Sequence, residues 1–185
     1  CWSWPCGAAG LRAVALTTAF SLKFRLVLRS ATWRSASTLA KAGVPFLLGP
    51  EFTDQEQDQE TGKMHTRILP KILHDSGGTF SVTALPTSLG ARYLWYQAGQ
   101  LVSYGIPRDV ALRAVTLEPA RALGLEKNKG SLEVGKDGDL LVLTDDPLSG
   151  RAWVDTGVSE GRIVYERKTD RRLAEVLGVS TPDRN

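Results

Sequence analysis

At 185 residues the chain has room for one hydrophobic core, or for one small domain and part of another. Its hydrophobic and charged fractions, 42% and 23%, are ordinary for a globular protein, and two cysteines make neither a disulfide framework nor the ligand set of a structural zinc site. The net charge of +3 conceals an asymmetry: residues 1–50 hold Arg12, Lys23, Arg25, Arg29, Arg34 and Lys41 and no acid, whereas the other 17 of the 23 bases face all 20 acids.

Residues 1–38 therefore read as a basic, acid-free leader. Such a stretch has the composition of an organelle transit peptide. We read it instead as foreign to the domain that follows, because a transit peptide starts at Met and precedes a complete protein, whereas the chain starts at Cys1. Cys1 and Cys6 are incidental thiols in this stretch. Arg12, Lys23 and Arg25 interrupt its apolar run short of the ~20 residues a membrane span needs. No nucleic-acid-binding fold is recognisable after it, so neither a membrane nor a nucleic acid is the expected partner.

The next stretch, LAKAGVPFLLGP over residues 39–50, reads as the end of a helix, a turn at Gly43 and a short buried strand Val44–Leu48. Residues 51–90 read as loop, with a polar, acidic start (EFTDQEQDQETG) and one short helix over Met64–Leu73 broken at Pro70. Residues 91–124 read as helical. Tyr93, Leu94, Tyr96, Gln97, Leu101 and Tyr104 give a first helix ending at Gly105, and the aromatics Tyr93, Trp95, Tyr96 and Tyr104 suit packing against a sheet. Pro107 can open the next helix, Asp109 suits the positive end of its dipole, and Val110, Ala111, Ala114 and Val115 form its apolar stripe. Thr116 and Pro119 interrupt the run before a short helix that Gly124 can end in a left-handed conformation. Ser131–Val134 then alternates and Leu140–Leu143 is an apolar run; Gly135 and Asp137-Gly138 between them predict a hairpin. A last helix is expected over 170–178, on Leu173, Val176 and Leu177.

The string Thr-Leu-Glu-Pro-Ala-Arg-Ala-Leu-Gly (116–124), followed by Gly-Ser-Leu-Glu-Val-Gly-Lys-Asp-Gly-Asp-Leu-Leu-Val-Leu (130–143), resembles the C-terminal signature of the amidohydrolase superfamily, in the branch similar to imidazolonepropionase. Asp145-Asp146-Pro147-Leu148 and Val158–Tyr165 fit the same pattern. The resemblance is strong over residues 91–167 and weaker over 39–54. It implies an α/β fold: part of a (β/α)8 metal-dependent hydrolase barrel (its last strand and helices) plus part of a small composite β-sandwich domain. A complete barrel takes about 250 residues, so a C-terminal fragment is expected. On this reading residues 1–38 are the leader, 39–124 the barrel piece, 125–170 the β-sandwich strands, and 171–185 a C-terminal helix and tail.

The resemblance also implies a chemistry. Family members hydrolyse carbon–nitrogen bonds of small amide-type substrates, with a divalent metal, zinc above all, activating a water as nucleophile in the intact enzyme. The ligands there are mostly histidines, including a His-x-His pair, and an aspartate in Gly-Thr/Ser-Asp after the eighth strand binds metal and moves the proton. The chain has only His65 and His74, nine residues apart, and no His-x-His. After Val44–Leu48 it reads Gly49-Pro50-Glu51, with Thr53-Asp54 just beyond. Glu51 and Asp54 are thus alternative candidates for the strand-8 acid, set against a plain solvated acidic loop with Glu56, Asp58 and Glu60. No metal is expected to be bound by this chain itself. Asp137, Asp139, Asp145 and Asp146 read as turn residues. The alternative is a catalytically inactive remnant, or a binding or assembly module of the same fold.

Overall fold

The computed structural model describes residues 26–43, 46–84 and 94–179. Cys1, Cys6, most of the leader, Val44 and the first residues of the helix expected from 91 lie outside the described residues.

Leu26–Leu28 (β1) leads into a 3₁₀ turn, Ser30–Ser35, and a helix, Ala36–Lys41 (α1). The helix buries Ala36, Leu39 and Ala40, the spacing of one helix face. It is the crossover that lets Phe46–Leu48 (β2) lie parallel to β1, with Leu26 opposite Phe46 and Leu28 opposite Leu48. The leader drawn from charge therefore overlaps packed structure: Leu28 is 4% exposed and Ala36 fully buried. A charge count misses this because Arg29 and Arg34 are exposed while Leu28, Ala36 and Leu39 turn inward.

Residues 51–90 are more ordered than their polar composition predicts. Thr53–Gln57 (β3) and Met64–Ile68 (β4) form an antiparallel hairpin, Thr53 opposite Ile68 and Gln57 opposite Met64. Asp58 closes its turn, its carboxylate accepting from the N–H groups of Thr61 and Glu60 at 2.8 and 2.9 Å. Those bonds hold the Asp58 carboxyl below its usual range. The expected helix over Met64–Leu73 is corrected to Leu69–Asp75 (α2), with Pro70 in its first turn. A proline there gives up no hydrogen bond, so Pro70 begins the helix instead of breaking one. Phe80–Val82 (β5) then lies parallel to β2, Phe80 opposite Phe46. The sheet order β1-β2-β5 makes β5, not Val44–Leu48, the strand that passes the chain to the helices. Three residues are too few for periodicity to reveal.

Leu94–Ser103 (α3), Arg108–Val115 (α4) and Leu117–Leu123 (α5) occupy the stretch read as helical. Pro107 immediately precedes α4 and Asp109 sits in its first turn. Thr116 ends α4, its hydroxyl donating to the Leu112 carbonyl at 2.8 Å, and Gly124 ends α5 at φ +74°. Phe46, Leu48, Leu39, Leu69, Leu73, Leu101 and Ile106 are fully buried in one core that joins the sheet to α1, α2, α3 and α4.

The expected hairpin of Ser131–Val134 with Leu140–Leu143 does not form. Leu140–Leu143 (β6) pairs instead with Val154–Ser159 (β7), which pairs with Arg162–Glu166 (β8), both antiparallel. Residues 125–139 fold back toward α5: the Asp137 N–H donates to the Asn128 carbonyl at 2.9 Å, and the Lys129 ammonium pairs with Asp137 at 2.9 Å and with Asp139. Leu132 and Val134 are left exposed. Asp139 also accepts from the Glu160 N–H at 2.8 Å and the Ser159 hydroxyl at 3.2 Å, which fixes the β7–β8 turn. A 3₁₀ turn, Pro147–Ser149, packs on α3, where a Cβ at Gly99 would stand 3.2 Å from the Leu148 carbonyl oxygen. An Arg108–Asp146 ion pair joins the same turn to α4. Arg171–Leu177 (α6) is capped by Asp170, which accepts from the Arg172 and Leu173 N–H groups at 3.0 and 3.2 Å. Among the described residues no helix is long and apolar enough to cross a membrane.

The Asp139 junction carries a pH signature. Lys129 first, and the Glu160 N–H next, hold its carboxyl below the ordinary value of 3.8. A carboxyl depressed by folding contributes stability above its ordinary value and loses it as pH falls through the lowered one. Amide exchange at Asp137 and Glu160, corrected for the intrinsic rate, should therefore stay constant down to pH 3.8 and accelerate below it. Asp139→Asn should remove that dependence; protection unchanged in strong acid would contradict this account.

Candidate functional site

The carboxyl ends of parallel strands all open on one edge of a sheet, and ligands bind α/β proteins there. In this chain that edge holds a cleft of about 310 Å³, lined by Val27, Arg29, Gly49, Pro50, Glu51, Thr83 and Ala84. Each strand contributes. The ladder runs one step past the paired triplets: the Gly49 N–H donates to the Leu28 carbonyl at 3.0 Å, and the Thr83 N–H and hydroxyl both donate to the Leu48 carbonyl at 2.9 Å. Beyond those bonds the three chains part, and their next side chains become the walls.

Glu51 is set in place by its neighbour. Phe52 is buried, meets Tyr104 edge-on with ring centroids 6.4 Å apart, and its carbonyl accepts from the Leu69 N–H at 2.9 Å. With Phe52 turned inward and Pro50 stiff before it, the exposed Glu51 stands at the mouth of the cleft. Arg29 stands at the end of β1 on the same cleft. Among the described residues neither has an ion-pair partner.

Asp54 is elsewhere. It lies on β3, where its carboxylate accepts from the Trp33 indole N–H at 3.0 Å. The Arg34 and Arg67 guanidinium groups lie 4.5 and 4.8 Å from the Trp33 ring centroid, and both pair with Glu56. This assembly staples the β3–β4 hairpin to the turn after β1. Asp54→Ala should leave the indole without its partner and lower stability by about 1 kcal/mol, while Asp54→Asn, which keeps an acceptor, should cost less. Urea unfolding of the full chain measures both, and equal losses would refute the staple.

The histidines do not converge with these acids. His65 is on β4, opposite Glu56 and exposed; His74 is in the last turn of α2, beside a different cavity with Gly78, Phe80 and Arg113. Among the described residues no three His, Cys, Asp or Glu side chains stand together as a metal site. With Asp54 already bonded to Trp33, this donor set does not fit a divalent metal, and no reaction step is derived through one.

A larger cavity of about 450 Å³ lies between Trp95, Gly130, Leu132 and strands β6 and β7. Its acids, Asp137 and Asp139, are bound to Lys129, whose own pKa those bonds raise, so it offers apolar walls without free chemistry. The smaller cleft is the candidate site. Sequence reading named Glu51, with Asp54, among its candidates but not Arg29, which the charge count assigned to the leader, or Thr83, which fell in a supposed loop. The available signal was a short triplet with apolar ends recurring before each: Leu-Val-Leu (26–28), Phe-Leu-Leu (46–48) and Phe-Ser-Val (80–82).

Residues 96–165 match the amidohydrolase family. An amidohydrolase of Hapsidospora irregularis is 33% identical over 138 residues, 71% of this chain and 14% of that protein. An imidazolonepropionase of Thermoplasma acidophilum is 44% identical over 65 residues, 32% of this chain and 16% of that protein. The crystal structure of an amidohydrolase from Thermotoga maritima superposes with a TM-score of 0.67 at 25% identity, over 85% of this chain and 40% of that one. The chain thus spans 14% and 16% of the length of these two curated relatives.

Proposed function

The chain belongs to the amidohydrolase superfamily, and from that premise we propose that it is the C-terminal part of a hydrolase that cleaves non-peptide carbon–nitrogen bonds in small amide-type molecules. Residues 39–124, with the β1 segment packed on them, belong to the catalytic barrel; residues 125–170 supply strands of the composite β-sandwich, and 171–185 the closing helix and tail. The likeness to an amidohydrolase across 85% of this chain supports the shared fold from which that division is drawn.

One observation carries the functional reading: Glu51, a carboxylate without an ion-pair partner among the described residues, stands in a cleft at the carboxyl ends of three parallel strands. Glu51 follows β2 and not β5, the strand that leads to the helices. Its place in the cleft, and not a place after a last strand, makes it the proton-transfer group, taking a proton from the attacking water and giving one to the leaving nitrogen. A divalent metal, zinc by resemblance, would supply water activation in the intact enzyme; among the described residues no three His, Cys, Asp or Glu side chains stand together to hold one. Asp54 is the alternative acid only if the Trp33 bond opens.

Translation of the source locus upstream of Cys1 in all three frames tests this. A His-x-His strand followed by further histidine-bearing strands supports it, and the extended protein is then assayed on small amides. Glu51→Gln should lower kcat by about 100-fold with KM little changed, in the range expected for a lost general acid–base. If no such segment precedes Cys1, the hydrolase reading fails. The second reading, an inactive remnant or a binding or assembly module, then holds; the commitment of Asp54 to Trp33 favours it.

A further inference from the structure

The cleft presents more than a carboxylate. The guanidinium groups of Arg34, Arg67, Arg108, Arg113 and Arg121 each pair with a carboxylate of the chain. Arg29 has none among the described residues, as is true of Arg151, Arg162, Arg167, Arg171 and Arg172, but it alone of these lines the concave edge of the sheet with Glu51. A guanidinium is a planar fork of donors that matches a carboxylate with two parallel hydrogen bonds. Glu51 sets a second requirement, since a carboxylate accepts only and repels a ligand that is anionic throughout; it calls for an N–H. Thr83 gives its hydroxyl proton to the Leu48 carbonyl, so it meets a ligand as an acceptor. Val27, Pro50 and Ala84 complete apolar walls around a volume suited to a small molecule.

We propose that this cleft selects small amides that carry a carboxylate, with the ligand carboxylate held by Arg29 and the amide N–H by Glu51. Arg29 is then a specificity-determining residue, and the inference rests on the hydrolase reading only for the amide, not for the carboxylate.

The test is a titration of the full chain by backbone NMR with N-acetylglycine, and with N-methylacetamide, which has the amide but no carboxylate. N-acetylglycine should shift the amide resonances of Val27, Gly49, Thr83 and Ala84 saturably, and N-methylacetamide should bind at least about tenfold more weakly. Arg29→Gln should weaken N-acetylglycine by about tenfold and leave N-methylacetamide unaffected; Arg29→Lys, which keeps the charge without the fork, should fall between. Equal binding of the two probes by the unaltered chain overturns the proposal, as does undiminished N-acetylglycine binding by a folded Arg29→Gln protein, or no shift at these residues. Selection without turnover upholds it while the hydrolase reading falls. Hydrolysis of neutral amides as readily as acidic ones by the extended protein overturns it while that reading stands.

Discussion

Gly130→Ala should destabilise the chain by about 3 kcal/mol, lowering Tm by roughly 9 °C for a domain of this size. Two costs add at this position. Gly130 has φ +96°, where an L side chain is strained. A Cβ there would also stand 2.7 Å from the Ala120 Cβ and 3.0 Å from both the Leu117 Cα and the Thr116 carbonyl oxygen. These are the N-terminal turns of α5, so the loop that leads to the β6–β8 sheet is laid directly on the helix. Gly124 separates the two costs, because it has φ +74° but nothing within 4 Å of its Cβ position. Gly124→Ala should cost only the backbone strain, about 1–2 kcal/mol. Thermal melts of both variants measure the difference, and a Gly130→Ala loss no larger than that of Gly124→Ala would mean the contact yields easily.

That junction was also the most legible part of the chain, for the same physical reason. Pro107, Asp109 and Gly124 act on their own backbone, so their consequences are local and read directly from the order of residues. The pairing partner of Leu140–Leu143 is not local. Its apolar run suits any strand, and Ser131–Val134 is kept from it by a loop closed on itself, Lys129 pairing with Asp137 and Asp139, and laid on α5 at Gly130. The hairpin of β3 and β4 was invisible because Thr-Asp-Gln-Glu-Gln has little strand propensity; it is held by its turn at Asp58 and by Trp33 from another element.

The candidate site divides along the same line. Glu51 and Asp54 are two acids three residues apart in a polar run, and nothing in their order distinguishes them. The buried Phe52 between them does: it turns the chain so that Glu51 faces the cleft and Asp54 joins the hairpin. Arg29 was hidden by a different effect. Its charge placed it with the other bases of residues 1–50, whereas its position after β1 places it on the sheet edge.

Phe46→Ala should cost about 4 kcal/mol, as expected for removing a fully buried ring. Phe46 is fully buried on β2, the central strand, opposite Leu26 on one side and Phe80 on the other. Its carbonyl accepts from the Ser81 hydroxyl at 3.3 Å, within the same buried sheet. Removing the ring leaves a cavity that both neighbours line, and a three-residue strand has too few hydrogen bonds to hold position without its packing. The consequence extends to function because β2 ends at Gly49-Pro50-Glu51 and the cleft is defined by the three strands staying in register. Phe46→Leu, which keeps most of the volume, should cost about 1 kcal/mol and preserve the cleft. Urea unfolding gives the stabilities; amide exchange at Gly49 and Thr83, which donate across the strand ends, gives the register. If Phe46→Ala lowers stability yet leaves protection at Gly49 and Thr83 unchanged relative to the core, the strand ends are held by their own hydrogen bonds, and the geometry of Arg29 and Glu51 is independent of the packing beneath them.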